Sequence, residues 1–238
     1  MAVLRARTVL PVPALVLWFV ALAATAGLTG CGGTPRSPGP GFYTVRPGDT
    51  LYSISWRHGL DYHEVARLNG IGSDYRIAVG RVLRLPGAGA APAAAPVAPV
   101  ARAPRPALPA PLPVTPAPRW VWPADGAAGA TVRQPAGGLG LEIAGSPGAE
   151  VRAAAAGRVV YTGAGLRGYG SLVIIKHDEA WLTAYGYNRD VAVSEGDAVR
   201  SGQRIASMGE GPDRRAALYF EIRLNGRPVD PGTQLPKR

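Results

Sequence analysis

Apolar and polar residues alternate most regularly near the C-terminal end of the chain. Across residues 218–224, apolar residues at the even positions alternate with Tyr219, Glu221 and Arg223. Successive side chains of a β-strand point to opposite faces of its sheet, so this pattern predicts a strand with one buried face and one open, polar face. Further short apolar runs between glycine-rich turns predict more strands. Residues 120–238 are therefore predicted to form an all-β domain.

Between residues 42 and 86 the apolar spacing changes to that of two short helices. The first is predicted to begin at Asp49 or Thr50, whose side chains can cap a helix, and to end at Gly59. The second is predicted to end at Asn69. Short alternating runs before and after the helices predict one strand on each side. The expected order of this module is β-α-α-β.

Segments rich in proline, alanine and glycine separate these parts. Proline at this density blocks helix interiors and sheet ladders, so the segments are expected to be extended. The predicted organisation is a signal peptide at 1–30, a flexible tether at 31–41, the helical module at 42–86, a Pro/Ala-rich linker at 87–119 and the all-β domain at 120–238.

The N-terminal segment has the pattern of an export signal. Arg5 and Arg7 precede an apolar stretch without charge over residues 9–28, and small residues then lead to Cys31. This order is typical of a cleaved secretory signal. A membrane-spanning helix needs a similar length, about 20 apolar residues, but two prolines in the stretch weaken that alternative. The Leu-Thr-Gly-Cys end resembles a bacterial lipobox, which implies a lipid anchor on Cys31 and an outer-membrane location facing the periplasm.

The formal net charge of +10 does not predict a nucleic-acid surface. Residues 42–86 contain six arginines and four acidic residues, and residues 120–238 contain fourteen basic and twelve acidic residues. Neither part has the basic patch expected of a nucleic-acid-binding domain. Cys31 is the only cysteine and the chain has three histidines, so the residues predict no catalytic nucleophile and no cofactor. His177, alone in a predicted strand, is expected to be structural.

The module at 42–86 resembles the LysM family through Gly-Asp-Thr-Leu at its first turn and Leu-Asn-Gly after its second helix. LysM domains bind glycans that contain N-acetylglucosamine, and the resemblance implies peptidoglycan glycan strands as the ligand. By that resemblance, the glycan-binding residues are Gly48, Asp49, Thr50, Leu51, Asn69, Gly70 and Ile71.

The domain at 120–238 resembles the LytM (lysostaphin-like) zinc peptidases. The resemblance covers nearly the whole domain and includes the motifs at 157–161, 168–170 and 225–231. It implies a β-sheet domain of the lysostaphin type.

The residues that bind zinc in that family are nevertheless absent. By the resemblance, the family's four histidine positions are occupied here by Gly138, Tyr187, Ala217 and Tyr219, and its aspartate position by Glu142. A hydrolytic zinc site needs three protein ligands and an open position for water. A single carboxylate does not hold zinc, so the sequence predicts no metal, no catalytic residue and no enzymatic activity.

The degenerate groove is instead predicted to bind a protein partner. Tyrosines are frequent anchors of protein interfaces, since each buries a large rigid area and keeps a polar tip. The alternative is a collapsed pocket in which tyrosines fill the space. The predicted groove residues are Glu142, Tyr185, Tyr187, Tyr219 and Glu221.

A narrower resemblance, to lipoproteins that combine a LysM module with a degenerate LytM domain, implies the partner. Such proteins activate a periplasmic N-acetylmuramoyl-L-alanine amidase, which splits the septal cell wall during cell division. The segment at 210–216 departs from the pattern of those proteins and is a candidate for partner choice. Two alternatives remain open, a structural tether between outer membrane and peptidoglycan, and an atypical zinc endopeptidase.

Overall fold

The computed structural model describes residues 41–87, 116–134 and 137–238. The predicted signal peptide, Cys31, the tether up to residue 40 and most of the linker lie outside the described residues. Within the described ranges, no helix combines the length and the apolar character needed to cross a membrane.

The N-terminal module has the predicted order β1 (Phe42–Thr44), α1 (Leu51–His58), α2 (Tyr62–Leu68) and β2 (Val82–Arg84). Strand β1 pairs antiparallel with β2, and both helices pack against this pair through buried residues such as Leu51 and Leu83. The β-α-α-β prediction is confirmed.

The ends of α1 are determined by the local sequence. The Thr50 side chain accepts a hydrogen bond from the Ser53 amide at 3.1 Å, and the Ser53 hydroxyl accepts one from the Thr50 amide at 3.0 Å. This reciprocal pair satisfies two amides that the first helical turn leaves free. At the other end Gly59 adopts a left-handed φ of 65°, as predicted for a helix stop.

The C-terminal domain consists mainly of strands, as predicted. The described residues of this domain form ten strands, β3 (Ala128–Arg133), β4 (Leu139–Ala144), β5 (Glu150–Arg152), β6 (Gly157–Gly163), β7 (Ser171–Lys176), β8 (Trp181–Val191), β9 (Ala198–Val199), β10 (Arg204–Glu210), β11 (Ala216–Leu224) and β12 (Arg227–Val229). They form one sheet whose main path runs β3-β4-β11-β10-β8-β7-β6-β9, with additional pairing of β11 to β8. A short helix, α3 (Pro231–Gln234), follows β12 and was not predicted.

The prediction that Tyr219, Glu221 and Arg223 lie on an open face is wrong. These side chains are 0, 0 and 1% exposed. The apolar residues of β11 pack into the core on one face of the sheet, and the polar residues pack on the other face beside the N-terminal module. Both faces of β11 are therefore buried.

Helix α1 covers the Arg223 end of this polar face. The Arg223 guanidinium lies 3.7 Å from the centroid of the Trp56 ring and donates a hydrogen bond of 3.0 Å to the Trp56 carbonyl. Nearby, the turn between β11 and β12 meets the loop between α1 and α2. A Cβ at Gly226 would come within 2.6 Å of Asp61 backbone atoms, so only glycine permits this approach.

A polar cluster joins the module to the turn between β7 and β8. Glu179 accepts hydrogen bonds from the hydroxyl groups of Tyr62 at 3.2 Å and Tyr75 at 3.3 Å, and its Oε2 lies 2.9 Å from His63 Nε2. Lys176 donates to the second oxygen of Glu179 at 2.5 Å. Glu179 thus connects both helical and loop parts of the module to the sheet domain.

Candidate functional site

The buried centre of the degenerate groove is a hydrogen-bonded carboxylate. Glu221 accepts hydrogen bonds from Arg223 Nε at 2.6 Å, from the Tyr219 hydroxyl at 2.8 Å and from the Tyr169 hydroxyl at 3.3 Å. Burial raises the pKa of Glu221, while the guanidinium and the hydroxyl donors favour its ionised form. Burial and the neighbouring carboxylate also raise the pKa of both tyrosines, so their hydroxyl groups stay protonated as donors.

The space that a histidine would need at position 138 is already occupied. A Cβ atom at Gly138 would overlap Glu221 Oε2 and the Tyr169 hydroxyl, and a Cβ at Gly140 would overlap the Tyr219 ring. The glycines are therefore required by the packing of neighbouring side chains. Side chains of Glu221, Tyr169 and Tyr219 therefore fill the space where the resemblance placed a histidine.

Zinc does not fit the residues at this site. Glu221 is held by three donors, and Glu142, half-buried on β4 opposite Tyr219, is a single remaining carboxylate. The described residues contain no group of three or more His, Cys, Asp or Glu side chains that could hold a metal ion. Three protein ligands of suitable type are the minimum for a hydrolytic zinc centre.

Tyr187 and Tyr219 lie next to each other, at two positions where the resemblance placed histidines of the family. Their ring centroids are 5.8 Å apart, and the Tyr187 hydroxyl accepts a hydrogen bond from Gln134 at 2.8 Å. Tyr187 has a positive φ of 63°, a backbone conformation that residues other than glycine rarely adopt. Such strain persists only where the surroundings enforce it, and it is concentrated at functional positions.

The structure brings together only some of the predicted groove residues. Tyr187, Tyr219 and Glu221 share one side of the sheet, and Glu142 lies at its half-buried edge. Tyr185 belongs to the core on the other side, where its ring lies 5.4 Å from Phe220 and its hydroxyl accepts a bond from the Ala154 amide at 2.8 Å. Tyr185 is therefore a core residue, separated from the groove by the sheet itself.

Two residues of this site were not identified from the sequence. Tyr169 donates to Glu221, and Gln134 donates to Tyr187. Tyr169 lay in the Gly-Tyr-Gly motif that carried the resemblance, but nothing in the motif indicates its hydrogen bond. His177 is structural as predicted, since its two ring nitrogens lie 2.8 Å from the Ala156 carbonyl and 2.8 Å from the Thr183 hydroxyl, and burial lowers its pKa.

The predicted glycan-binding residues fall into two separate places. Asp49 and Thr50 line a cleft of ≈ 530 Å³ whose other wall includes residues 74–77. Ile71 lines a different hollow, and the Asn69 amide group is engaged by the backbone of Val65 and Arg84 at 2.7 Å.

Within these two sets, Leu51 has no exposed surface, whereas Gly48 and Gly70 are exposed. The cleft beside Asp49 is completed by residues 74–77 and by residues 158–160, 195 and 196 of the sheet domain, and residues 69–71 do not line it. Nothing in the sequence of the loop between α2 and β2 indicates that residues 74–77 line this cleft.

Comparison with known proteins supports both domain resemblances. Residues 43–86 match the LysM domain and residues 137–231 match peptidase family M23. The chain is 48% identical over 231 residues to a lipoprotein NlpD/LppB homolog of Pseudomonas aeruginosa, covering 83% of this chain and 78% of that protein. It is 36% identical over 257 residues to the murein hydrolase activator NlpD of Escherichia coli K12, covering 82% and 68%.

A solved structure, the catalytic domain of lysostaphin from Staphylococcus simulans, is 21% identical and covers 46% of this chain and 91% of that chain, with a TM-score of 0.42. The two sequence relatives match across both domains. With a LysM domain followed by an M23-type domain, this chain belongs to the NlpD family of lipoproteins.

Proposed function

We propose that this chain is a non-catalytic activator of a periplasmic N-acetylmuramoyl-L-alanine amidase that splits the septal cell wall during cell division. The LysM module binds peptidoglycan glycan strands. A lipid on Cys31 anchors the chain to the outer membrane, so that both domains face the periplasm.

The filled zinc site carries this proposal. An M23-type sheet in which Glu221 is held by Arg223, Tyr219 and Tyr169 has no position for a catalytic metal. The sheet nevertheless keeps a strained tyrosine, Tyr187, at a position where the family has a histidine. A binding role accounts for both observations, and the relative in Escherichia coli is named a murein hydrolase activator.

The exposed edge of the site is the best place for first contact with the amidase. The loop at 210–216 joins β10 to β11, and a Cβ at Gly211 would lie 3.5 Å from the Tyr187 ring. Asp213, Arg214 and Arg215 of this loop are exposed. Since this segment departs from the pattern of related activators, we propose that it selects the amidase.

The experiment combines the purified chain, labelled peptidoglycan and the organism's periplasmic amidase, separately and together. Activation predicts release of wall fragments only in the mixture. Tyr187→Ala should reduce the release by about 30-fold, since loss of an interface anchor typically costs about 2 kcal/mol. Arg200→Ala, a change at an exposed residue remote from Tyr187 in the chain, serves as the control.

Other outcomes would point to other functions. Release by the chain alone, abolished by a chelator, would establish an enzyme and overturn the proposal. Binding to peptidoglycan without any release would favour a structural tether.

The lipid anchor is tested separately. Cys31→Ala should move the chain from the membrane fraction to the soluble fraction, and a variant that stays with the membrane would contradict the lipid anchor.

A further inference from the structure

A cavity of ≈ 600 Å³ lies where the start of the LysM module meets the loop between β6 and β7. The module contributes Arg46, Arg57 and His58, and the sheet domain contributes Arg167. Three guanidinium groups thus line one cavity whose walls come from two domains. This cavity is separate from the Glu221 site and from the cleft formed with residues 74–77.

The single carboxylate in this cavity is already engaged. Asp49 accepts hydrogen bonds from the Tyr43 hydroxyl at 2.7 Å, the Arg46 amide at 2.8 Å and Arg57 Nη2 at 3.2 Å. Arg57 also donates to the Tyr43 hydroxyl at 2.5 Å. Asp49 and Arg57 therefore neutralise each other.

The other two arginines have no such partner. The guanidinium groups of Arg46 and Arg167 make no hydrogen bond and no ion pair with any described residue, and both side chains are exposed. Arg46 lies 5.8 Å from the centroid of the Tyr43 ring, which also lies 5.5 Å from Arg57. The cavity therefore carries a positive charge that none of the described residues balances.

His58 adds a group whose charge responds to an anion. Burial and the neighbouring Arg57 lower the pKa of His58, so its ring is neutral at pH 7. An anion bound in the cavity would favour the imidazolium and raise that pKa.

We propose that this cavity binds a carboxylate of a peptidoglycan stem peptide. A planar guanidinium can hold a carboxylate through two parallel hydrogen bonds, and Arg46 and Arg167 are both free to do so. The position favours this ligand because Asp49, one of the residues predicted to bind the glycan, lines both this cavity and the neighbouring cleft beside Thr50. Stem peptides branch from the glycan and carry several free carboxylates.

This inference rests on the proposed binding of peptidoglycan and adds a second ligand group to it. A glycan in the cleft beside Thr50 would present its stem peptide to Arg46 and Arg167. Because Arg46 and Arg167 belong to different domains, the bound carboxylate would also hold the two domains together.

The test compares two soluble ligands of equal glycan length, one with stem peptides and one without. We expect the native chain to bind the peptide-bearing fragment about 3- to 10-fold more tightly, as exposed charge pairs and charge-assisted hydrogen bonds typically provide. R46Q and R167Q should each reduce this preference while leaving the affinity for the bare glycan unchanged. Arg200→Gln, which changes an exposed arginine outside the cavity, should keep the preference.

A second readout is independent of affinity. Titration of His58 by NMR should show a higher pKa when the peptide-bearing fragment is bound, and no change with the bare glycan. Equal affinity of the native chain for both ligands, or a preference that survives R46Q and R167Q, would overturn the inference.

The controls separate this inference from the proposed function and from another anion. If the native chain binds neither fragment, the proposed glycan binding itself fails. Vesicles containing phosphatidylglycerol test a phosphate ligand, and binding to them that requires Arg46 and Arg167, without any preference for stem peptides, would assign the cavity to membrane phosphates instead.

Discussion

Glu221 and Arg223 are two positions apart on β11, so both project from the same face of the sheet. Their side chains are 0 and 1% exposed and their charged atoms are 2.6 Å apart. A buried ion pair contributes little net stability relative to apolar residues of the same size, but loss of one member leaves the other charge uncompensated.

Glu221→Ala should destabilise the chain by about 3–5 kcal/mol, because Arg223 would remain buried with only Trp56 to accept its hydrogen bond. Urea-induced unfolding followed by circular dichroism measures this loss. The double variant Glu221→Leu with Arg223→Leu should recover most of it, since no buried charge remains.

Glu210→Ala, at an exposed position at the end of β10, is the matched control and should leave the unfolding midpoint unchanged. A double variant as unstable as Glu221→Ala would contradict this account. It would mean that the shape of the two side chains, and not their charge, determines the stability of the groove.

At the scale of elements, helix α1 has two roles in the chain. Its N-terminal end faces the predicted glycan cleft through Thr50, and its C-terminal half covers Arg223 through Trp56. The cap at Thr50 therefore supports both the loop that precedes α1, which is predicted to bind glycan, and the contact between domains.

Thr50→Ala should remove the hydrogen bond to the Ser53 amide and cost about 1 kcal/mol of local stability, the usual effect of losing a helix cap. Hydrogen exchange of the Ser53 amide should then become about fivefold faster. Thr131→Ala, at an exposed threonine of β3, is the control. Unchanged exchange at Ser53 would show that neighbouring contacts hold the first turn without the cap.

Helices and strands were predictable where the residues that determine them are neighbours in the sequence. Thr50 and Gly59 mark the ends of α1, and the alternation at 218–224 gives strand β11. The burial of the polar face of β11 was not predictable. Alternation of apolar and polar residues shows which side chains share a face, but it does not show which other part of the chain covers that face. Arg223 and Trp56 are far apart in sequence, and neither residue type predicts their contact. The positive φ of Tyr187 likewise depends on the packing of the completed sheet.

At the scale of the whole molecule, the Glu179 cluster predicts that docking of the LysM module depends on pH. Burial opposes the charge of His63, but hydrogen bonds to Asp61 and Glu179 raise its pKa above the ordinary 6.5. Burial likewise opposes the charge of Glu179, but hydrogen bonds from Lys176 and His63 lower its pKa to about 2 from the ordinary 4.5. Tyr62 and Tyr75 donate to the same carboxylate and stay protonated throughout this range.

The raised pKa of His63 and the lowered pKa of Glu179 define the pH range in which docking is strongest. The His63 contribution is present below pH 6.5 and is lost as the pH rises through its raised value. The Glu179 contribution is present above pH 4.5 and is lost as the pH falls towards 2. Docking should therefore be strongest between about pH 4.5 and 6.5 and weaken on either side of this range, by less than about 1 kcal/mol since Glu179 is largely exposed.

Energy transfer between dyes on Glu64→Cys and Ser201→Cys, in a chain with Cys31→Ser, measures this docking. Transfer should fall as the pH rises from 6 to 8, and Glu179→Gln should flatten the profile. Glu210→Gln is the control, since Glu210 lies outside the cluster. A native profile with no change over this range would exclude the His63–Glu179 pair as a pH-dependent contact.

Docking of the module also limits access to the groove, because Trp56 covers Arg223 beside the buried Glu221 and Tyr219. If the amidase binds this face, the module must first move away. In a chain with Cys31→Ser, replacing His63 and Glu179 by cysteines and joining them with a short bis-maleimide would convert their 2.9 Å contact into a covalent link. We expect the linked chain to lose activation of the amidase, and the same variant before linking to activate at least as well as the native chain.

A link within the module, between Glu64→Cys and Arg67→Cys on α2, is the matched control and should leave activation unchanged. Both residues are exposed and lie within a single helix, so this link does not join the two domains. Full activation by the chain linked across the domains would show that the amidase uses only the exposed loop at 210–216 beside the buried Tyr187. The proposed activation would then stand, and the contact between Trp56 and Arg223 would serve only to hold the two domains in place.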